Sequence, residues 1–129
     1  MKVLVVGKQS SNDLVKYMLT DLGVEYVETT DYREAVAMLY KDGDIKTLIT
    51  GFYYTTYAEA SIAPLDEDLQ MNGVNMCAFA KVANSEVKTI LMSTLRPDCL
   101  LMAIELEIVD EFILKTDVMT TLKLLKKSL

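Results

Sequence analysis

The chain contains no histidine and no tryptophan, and it has only two cysteines and two prolines. Without histidine, imidazole-based nucleophile triads, His-ligated zinc and phosphohistidine relays are all excluded. Any chemistry must therefore rest on carboxylates, lysines, hydroxyls or thiols. Cys77 and Cys99 cannot form a disulfide framework. Each falls in an apolar helical pattern, so both are expected as buried, reduced thiols. Long apolar runs are also missing. Val3–Val6 follows a single lysine and leads straight into Gly7-Lys8, too short for a signal peptide's core or a membrane span, which leaves a cytoplasmic protein as the expectation. Basic residues are in deficit, 13 against 19 acids, for a formal net charge of −6. That balance argues against general affinity for nucleic acid or anionic membrane.

What remains is a globular composition, 51% hydrophobic and 25% charged over 129 residues, the size of one ordinary domain. The chain is expected to form a single domain over residues 1–129. Its centre is Lys46-Thr-Leu-Ile-Thr-Gly51, a short apolar run closed by a turn former, as a buried strand requires. Before it, Lys2–Val6 is a β-branched run, hence a doubly buried strand. Ser10 and Asp13 are spaced as a capping box for a first helix with the stripe Leu14, Val15, Met18, Leu19 and Leu22, and Gly23 stands at its C-terminal cap. Val24–Thr29 alternates in polarity and suits an edge strand. Thr30 or Asp31 caps a second helix, Tyr32 to about Lys41, with Ala35, Val36, Met38 and Leu39 inward and Gly43 ending it.

After the central strand, residues 52–70 break the rhythm with Tyr53, Tyr54, Tyr57, Pro64 and the acidic run Asp66-Glu67-Asp68. This length suits an inserted surface loop, a lid or a partner-docking segment. A third helix runs from Gly73 to about Asn84, with Val74, Cys77, Ala78 and Phe79 available for burial. Val87–Met92 is the fourth strand, ending in Ser93-Thr94. Pro97 and Asp98 open a fourth helix, Leu100 to Leu106. Glu111–Leu114 is the fifth strand. Asp117 caps the last helix, with Val118, Leu122 and Leu125 inward and Lys123, Lys126 and Lys127 outward. Five strands alternating with five helices predict a doubly wound α/β domain, a three-layer sandwich around a parallel sheet.

Four strings along this pattern resemble the receiver domain of two-component response regulators. Asp31-Tyr-Arg-Glu-Ala-Val36 is similar to the family's D-G-x-E-A-L, and Met71-Asn-Gly73 to its M-D-G. Ile90-Leu-Met-Ser-Thr94 is similar to the family's fourth-strand ending, and Asp110-Glu-Phe-Ile-Leu-Lys-Thr116 to D-D-F-L-x-K-P. The resemblance covers the chain apart from the long segment and implies the flavodoxin-like fold with strand order 2-1-3-4-5.

Family activity requires an acidic pair after the first strand to hold Mg²⁺ and an aspartate ending the third strand to accept phosphate. Here Gly7-Lys8 (or Lys8-Gln9, one residue on) takes the pair's place and Gly51 the acceptor's. Ser93, followed by Thr94, and Lys115 match the hydroxyl and lysine that contact the phosphoryl group. Phe112 matches the aromatic that reorients on activation, and Thr116 replaces a proline. The resemblance thus implies a degenerate, non-phosphorylatable pseudo-receiver, not an enzyme, with no metal and no cofactor. It would act on a protein partner or as a homodimer through the fourth helix, fifth strand and fifth helix, where Leu100, Leu101, Ile104, Ile108 and Lys123 are the expected contacts.

Lys8 and Lys115 are expected at one rim with no carboxylate between them. They would bind an anion, pair with Glu59, Asp66 or Glu67, or extend into solvent. The alternative function is accordingly a module of the same fold holding a small anionic ligand, a phosphate or nucleotide. A phosphate-loop reading of Val6-Gly-Lys-Gln-Ser10 fails, because the signature needs another glycine five positions before the Gly-Lys pair. A flavin site at Ser10 and Ser11 lacks the tryptophan that would support it.

Overall fold

The computed structural model describes residues 2–52 and 72–129. Five parallel strands, β1 Lys2–Val6, β2 Tyr26–Thr29, β3 Ile45–Gly51, β4 Lys88–Ser93 and β5 Glu111–Leu114, form one sheet in the order β2-β1-β3-β4-β5. The helices among the described residues are α1 Gln9–Asp21, α2 Tyr32–Lys41, α3 Gly73–Ala83, α4 Leu100–Glu105 and α5 Val118–Ser128. This is the doubly wound α/β architecture that the alternation of patterns predicts. None of these helices is long and apolar enough to cross a membrane. The expected loop at 52–70 lies outside the described residues except for Phe52, and so do its tyrosines and acids.

Strand periodicity divides the core in two. Leu4, Val6, Leu48 and Leu91 face α2, α3 and α4, where Ala35, Leu39, Met76, Cys77, Ala80, Leu100 and Ala103 close a first core. Val3, Val5, Ile49, Ile90 and Met92 face the other side, against Val15, Met18 and Leu19 of α1 and Leu125 of α5. The register Val6↔Thr50 and Gly51↔Met92 brings the ends of β1, β3 and β4 to one edge. In a parallel sheet that edge is where a ligand crevice forms.

Several local expectations are corrected. Lys8, not Ser10, is the N-cap of α1 and makes no side-chain cap; Asp13 instead accepts from Gln9 Nε2 at 2.9 Å. Gly23 does close α1, at φ 69, with Gly23 N–H on Thr20 O and Val24 N–H on Leu19 O. This paired arrangement needs a left-handed residue. Gly43 has no such role. Helix α2 ends at Asp42 in extended conformation, whose carboxylate accepts from Asp44 N–H and pairs with Lys2 at 2.7 Å. Met76 and Ala80 occupy the inward face of α3 and Phe79 is exposed, because Gly73, Met76, Cys77 and Ala80 follow the helical repeat. On α5, Thr121 and Ser128 join Leu125 inside while Val118 is exposed. Cys99 is exposed at the start of α4, and only Cys77 is buried.

Candidate functional site

The crevice edge is built first by Gly7, which leaves β1 buried beneath the start of α1. A Cβ at Gly7 would stand 3.1 Å from Asn12 Oδ1 and 3.5 Å from Gly51 N. Asn12 is itself buried and donates from Nδ2 to the Thr29 carbonyl at 3.1 Å, fastening α1 to the end of β2. Lys8 and Gln9 follow, both exposed, and the first bond of α1 runs from Asn12 N–H to Lys8 O at 2.8 Å.

On the far side, Ser93 ends β4 and is buried. Its hydroxyl accepts from Leu95 N–H at 3.2 Å and its carbonyl accepts from Lys115 N–H at 2.8 Å, which holds the ends of β4 and β5 together. Thr94 is exposed. Lys115 reaches back across the strand ends, and its Nζ donates to Ser11 Oγ at 3.2 Å. Between these arms lies a cavity of about 10 Å³ lined by Ser11, Asn12, Thr50, Gly51, Met92 and Lys115, space for roughly one water.

Charge at this edge is unbalanced. Burial pulls the Lys115 ammonium below the usual lysine value, and repulsion from Lys8 pulls it further. Among the described residues no carboxylate offsets either effect. The structure thus brings Gly7, Lys8, Gly51, Ser93 and Lys115 to one edge, with Gln9 and Thr94 at its margin. Residues of the type Mg²⁺ requires do not stand there, and no cluster of acids, cysteines or histidines among the described residues could hold a metal ion. The acids Glu59, Asp66 and Glu67 lie outside the described residues. The described residues of the site offer hydroxyl and ammonium donors and include neither a base beside Ser11 or Ser93 nor an acceptor carboxylate.

Phe112 sits on β5, half-buried against the first core, with the Arg96 guanidinium 5.6 Å from its ring centre. Of the residues expected as contacts on an interaction face, Leu101 and Ile104 are exposed on α4, beside Met102, and Lys123 is exposed on α5. Leu100 and Ile108 do not belong to that face. Leu100 is 5% exposed and Ile108 is half-buried against the first core, because α4 is one short turn and a half with Leu100 and Ala103 inward. Sequence reading considered Ser11 only for a flavin site and missed Asn12 and Arg96. Asn12 carried a signal, standing three residues before Val15 on the buried stripe of α1; Arg96, in a loop, carried none.

No protein-family model matches the chain, and no curated protein matches it in sequence. Solved structures do match in fold. The chemotaxis response regulator CheY4 of Vibrio cholerae superposes with TM-score 0.73 at 20% identity, covering 99% of this chain and 98% of that one. A CheY-like response regulator receiver domain protein from Methanospirillum hungatei gives TM-score 0.73 at 15% identity over 98% of this chain and 90% of that one. The receiver domain of the sensor histidine kinase PA1611 from Pseudomonas aeruginosa, which holds magnesium in its cleft, gives TM-score 0.68 at 14% identity, over 98% and 94%. At these identities the likeness establishes architecture: the chain has the fold of CheY-like receiver domains.

Proposed function

We propose that this chain is a receiver-like signalling domain that is not phosphorylated on aspartate, is not an enzyme, and acts by binding another protein or a second copy of itself. The observation that carries the reading is Gly51 at the end of β3, with Gly7 and Lys8 ending β1 beside it. A glycine cannot accept a phosphoryl group, and a lysine in place of a carboxylate repels the dication that such transfer uses. The magnesium reported for the PA1611 receiver therefore has no counterpart ligands among the described residues here. What the fold still offers is surface. Leu101 is 70% exposed, and Met102 and Ile104 beside it and Met119 and Lys123 on α5 are exposed too. Such a patch is characteristic of an interaction site.

The test is an amide-resolved NMR titration with Mg²⁺ and then beryllofluoride. No shift at Gly7, Lys8 and Gly51 is expected, while Leu101→Asp should abolish self-association or partner capture. Saturable shifts around Gly51 would overturn the reading.

A second reading has one specific observation behind it, the repulsion of Lys115 by Lys8 at a rim with no acid among the described residues. In that reading the two lysines and Ser11 hold a small anion such as phosphate or a nucleotide. Inorganic phosphate would then shift the amides of Lys8, Ser11 and Lys115 and raise the melting temperature by linkage.

A further inference from the structure

We propose that the groove between α3 and the turn joining α4 to β5 docks a basic amphipathic helix of a partner protein. This surface is separate from the strand-end crevice and from the face formed by α4 and α5. The groove measures about 660 Å³. One wall is the stripe Ala78, Lys81, Val82 and Ser85, which repeats at helical spacing on α3 and just past its end. The other wall is Leu106, Glu107 and Ile108.

Its apolar walls stand in water, Val82 being 73% and Leu106 63% exposed. A small molecule seated here would keep much of its surface wet, whereas binding pockets for small ligands bury most of theirs. A chain segment can cover both walls. The free strand edges of the sheet are β2 and β5, and the groove is walled by a helix and a turn, so pairing by an added strand is not available. Side-chain docking of a helix is the mode that fits.

Charge selects the occupant. The groove's lysine is already committed, since Lys81 Nζ lies 2.6 Å from Asp110 Oδ2 and 2.8 Å from the Val87 carbonyl. Glu107 lines the groove, and Glu86 and Glu105 adjoin its lining residues Ser85 and Leu106 in sequence; all three are exposed and make no ion pair among the described residues. Glu107 also holds a backbone conformation that favours glycine, at φ 59, in the cap where Glu107 N–H meets Ile104 O and Ile108 N–H meets Ala103 O. Apolar walls with unpaired Glu107 in the lining and exposed Glu86 and Glu105 next to lining residues in sequence complement a helix bearing leucine-like side chains flanked by lysine or arginine.

The probe is a fluorescein-labelled Leu–Lys amphipathic peptide of about fourteen residues, roughly four helical turns, titrated into the whole chain with amide-resolved NMR as a parallel readout. Saturable binding with shifts confined to Ala78–Ser85 and Leu106–Asp110 is expected. Val82→Asp should weaken it about tenfold or more. Glu107→Gln, which leaves the backbone alone, should weaken it about threefold. Glu107→Gly should also weaken it while raising the melting temperature, a combination that a purely structural glutamate would not give. The proposal is overturned by shifts scattered over Leu101 and Met119, or by binding that is indifferent to Val82→Asp and Glu107→Gln, which would be unspecific attraction to an acidic chain. Groove shifts that grow with protein concentration alone would assign the surface to a second copy and overturn the proposal equally.

Discussion

The α-carbon of Gly73 rests against the backbone of Gly51, so close that a Cβ at Gly73 would stand 2.1 Å from the Gly51 carbonyl oxygen and 2.6 Å from Leu91 Cδ1. Gly73 N–H also donates to Phe52 O at 2.8 Å. The end of β3 and the start of α3 thus meet through backbone atoms, which cannot turn aside as a flexible side chain could. Gly73→Ala should therefore destabilise the fold by about 3 kcal/mol, at the upper end of overpacking costs, seen as a lower urea midpoint. A change below about 1 kcal/mol would mean that α3 can slide on the sheet.

Thr89 and Asp110 fasten β4 to β5 before regular pairing begins at Ile90↔Glu111. Thr89 N–H donates to Asp110 Oδ2 at 2.8 Å, and Asp110 N–H reaches the Thr89 carbonyl at 3.0 Å. Asp110→Ala would leave the buried Thr89 N–H without its carboxylate acceptor and release Lys81. The expected loss is about 1–3 kcal/mol.

The pH dependence of the same pair has a definite sign. Burial pushes the Asp110 carboxyl up, but hydrogen bonds from Lys81 and Thr89 N–H, with the Lys81 charge, outweigh it and hold it below the ordinary 3.8. The folded state therefore binds the proton more weakly than the unfolded chain. This stabilisation is present in full above the unfolded value and disappears as pH falls through the lower folded one. Acid denaturation curves of the wild type and Asp110→Ala should draw together as pH falls through the lowered folded value and separate above the ordinary 3.8.

Strand and helix placement was legible because apolar periodicity is long-range information written locally, whereas the strand order followed only from the resemblance to receiver domains. Val3–Val6 alternates between two cores, and Leu39 or Leu125 faces the sheet by the helical repeat. The crevice was legible in its matching Ser93 and Lys115 and in its absences, Gly7 and Gly51 where acids were expected and Lys8 where a carboxylate should stand. The contacts that give it form were not. Ser11 meets Lys115 across more than a hundred residues of sequence, and Arg96 reaches Phe112 from a loop. Such pairings depend on which strand ends become neighbours, which no local pattern encodes. The apolar fourth helix shows the same limit: a string rich in leucine and isoleucine does not say that Leu100 turns in while Leu101 turns out.

The two cysteines should differ sharply in reactivity. Cys77 is buried beneath α3, and desolvation pushes its thiol up to about 12. Cys99 is exposed. Because the thiolate is the nucleophile, iodoacetamide at neutral pH should label Cys99 alone in the folded chain and both in denaturant, as peptide mass mapping would show. Labelling of Cys77 under native conditions would indicate local opening of α3.

Lys8 and Lys115 make the last prediction, and its sign follows from proton binding. Lys115 is held below 10.5 by burial and by Lys8, so its protonated form opposes folding at neutral pH. That cost is present below the folded value and is relieved as pH rises through it toward 10.5. Lys115→Met, which keeps the stem and removes the charge, should stabilise the chain near pH 7, and the difference from wild type should shrink as pH rises. Lys8→Glu should stabilise by up to about 1 kcal/mol, because it replaces repulsion across the rim with attraction, and added salt should erase the gain. Thermal melts of the three chains across pH and ionic strength decide the matter. Were Lys115→Met to destabilise the fold by clearly more than the roughly 1 kcal/mol of its lost hydrogen bond to Ser11 Oγ, a negative group would already neutralise the ammonium, as pairing with Glu59, Asp66 or Glu67, or an anion bound at the rim, requires.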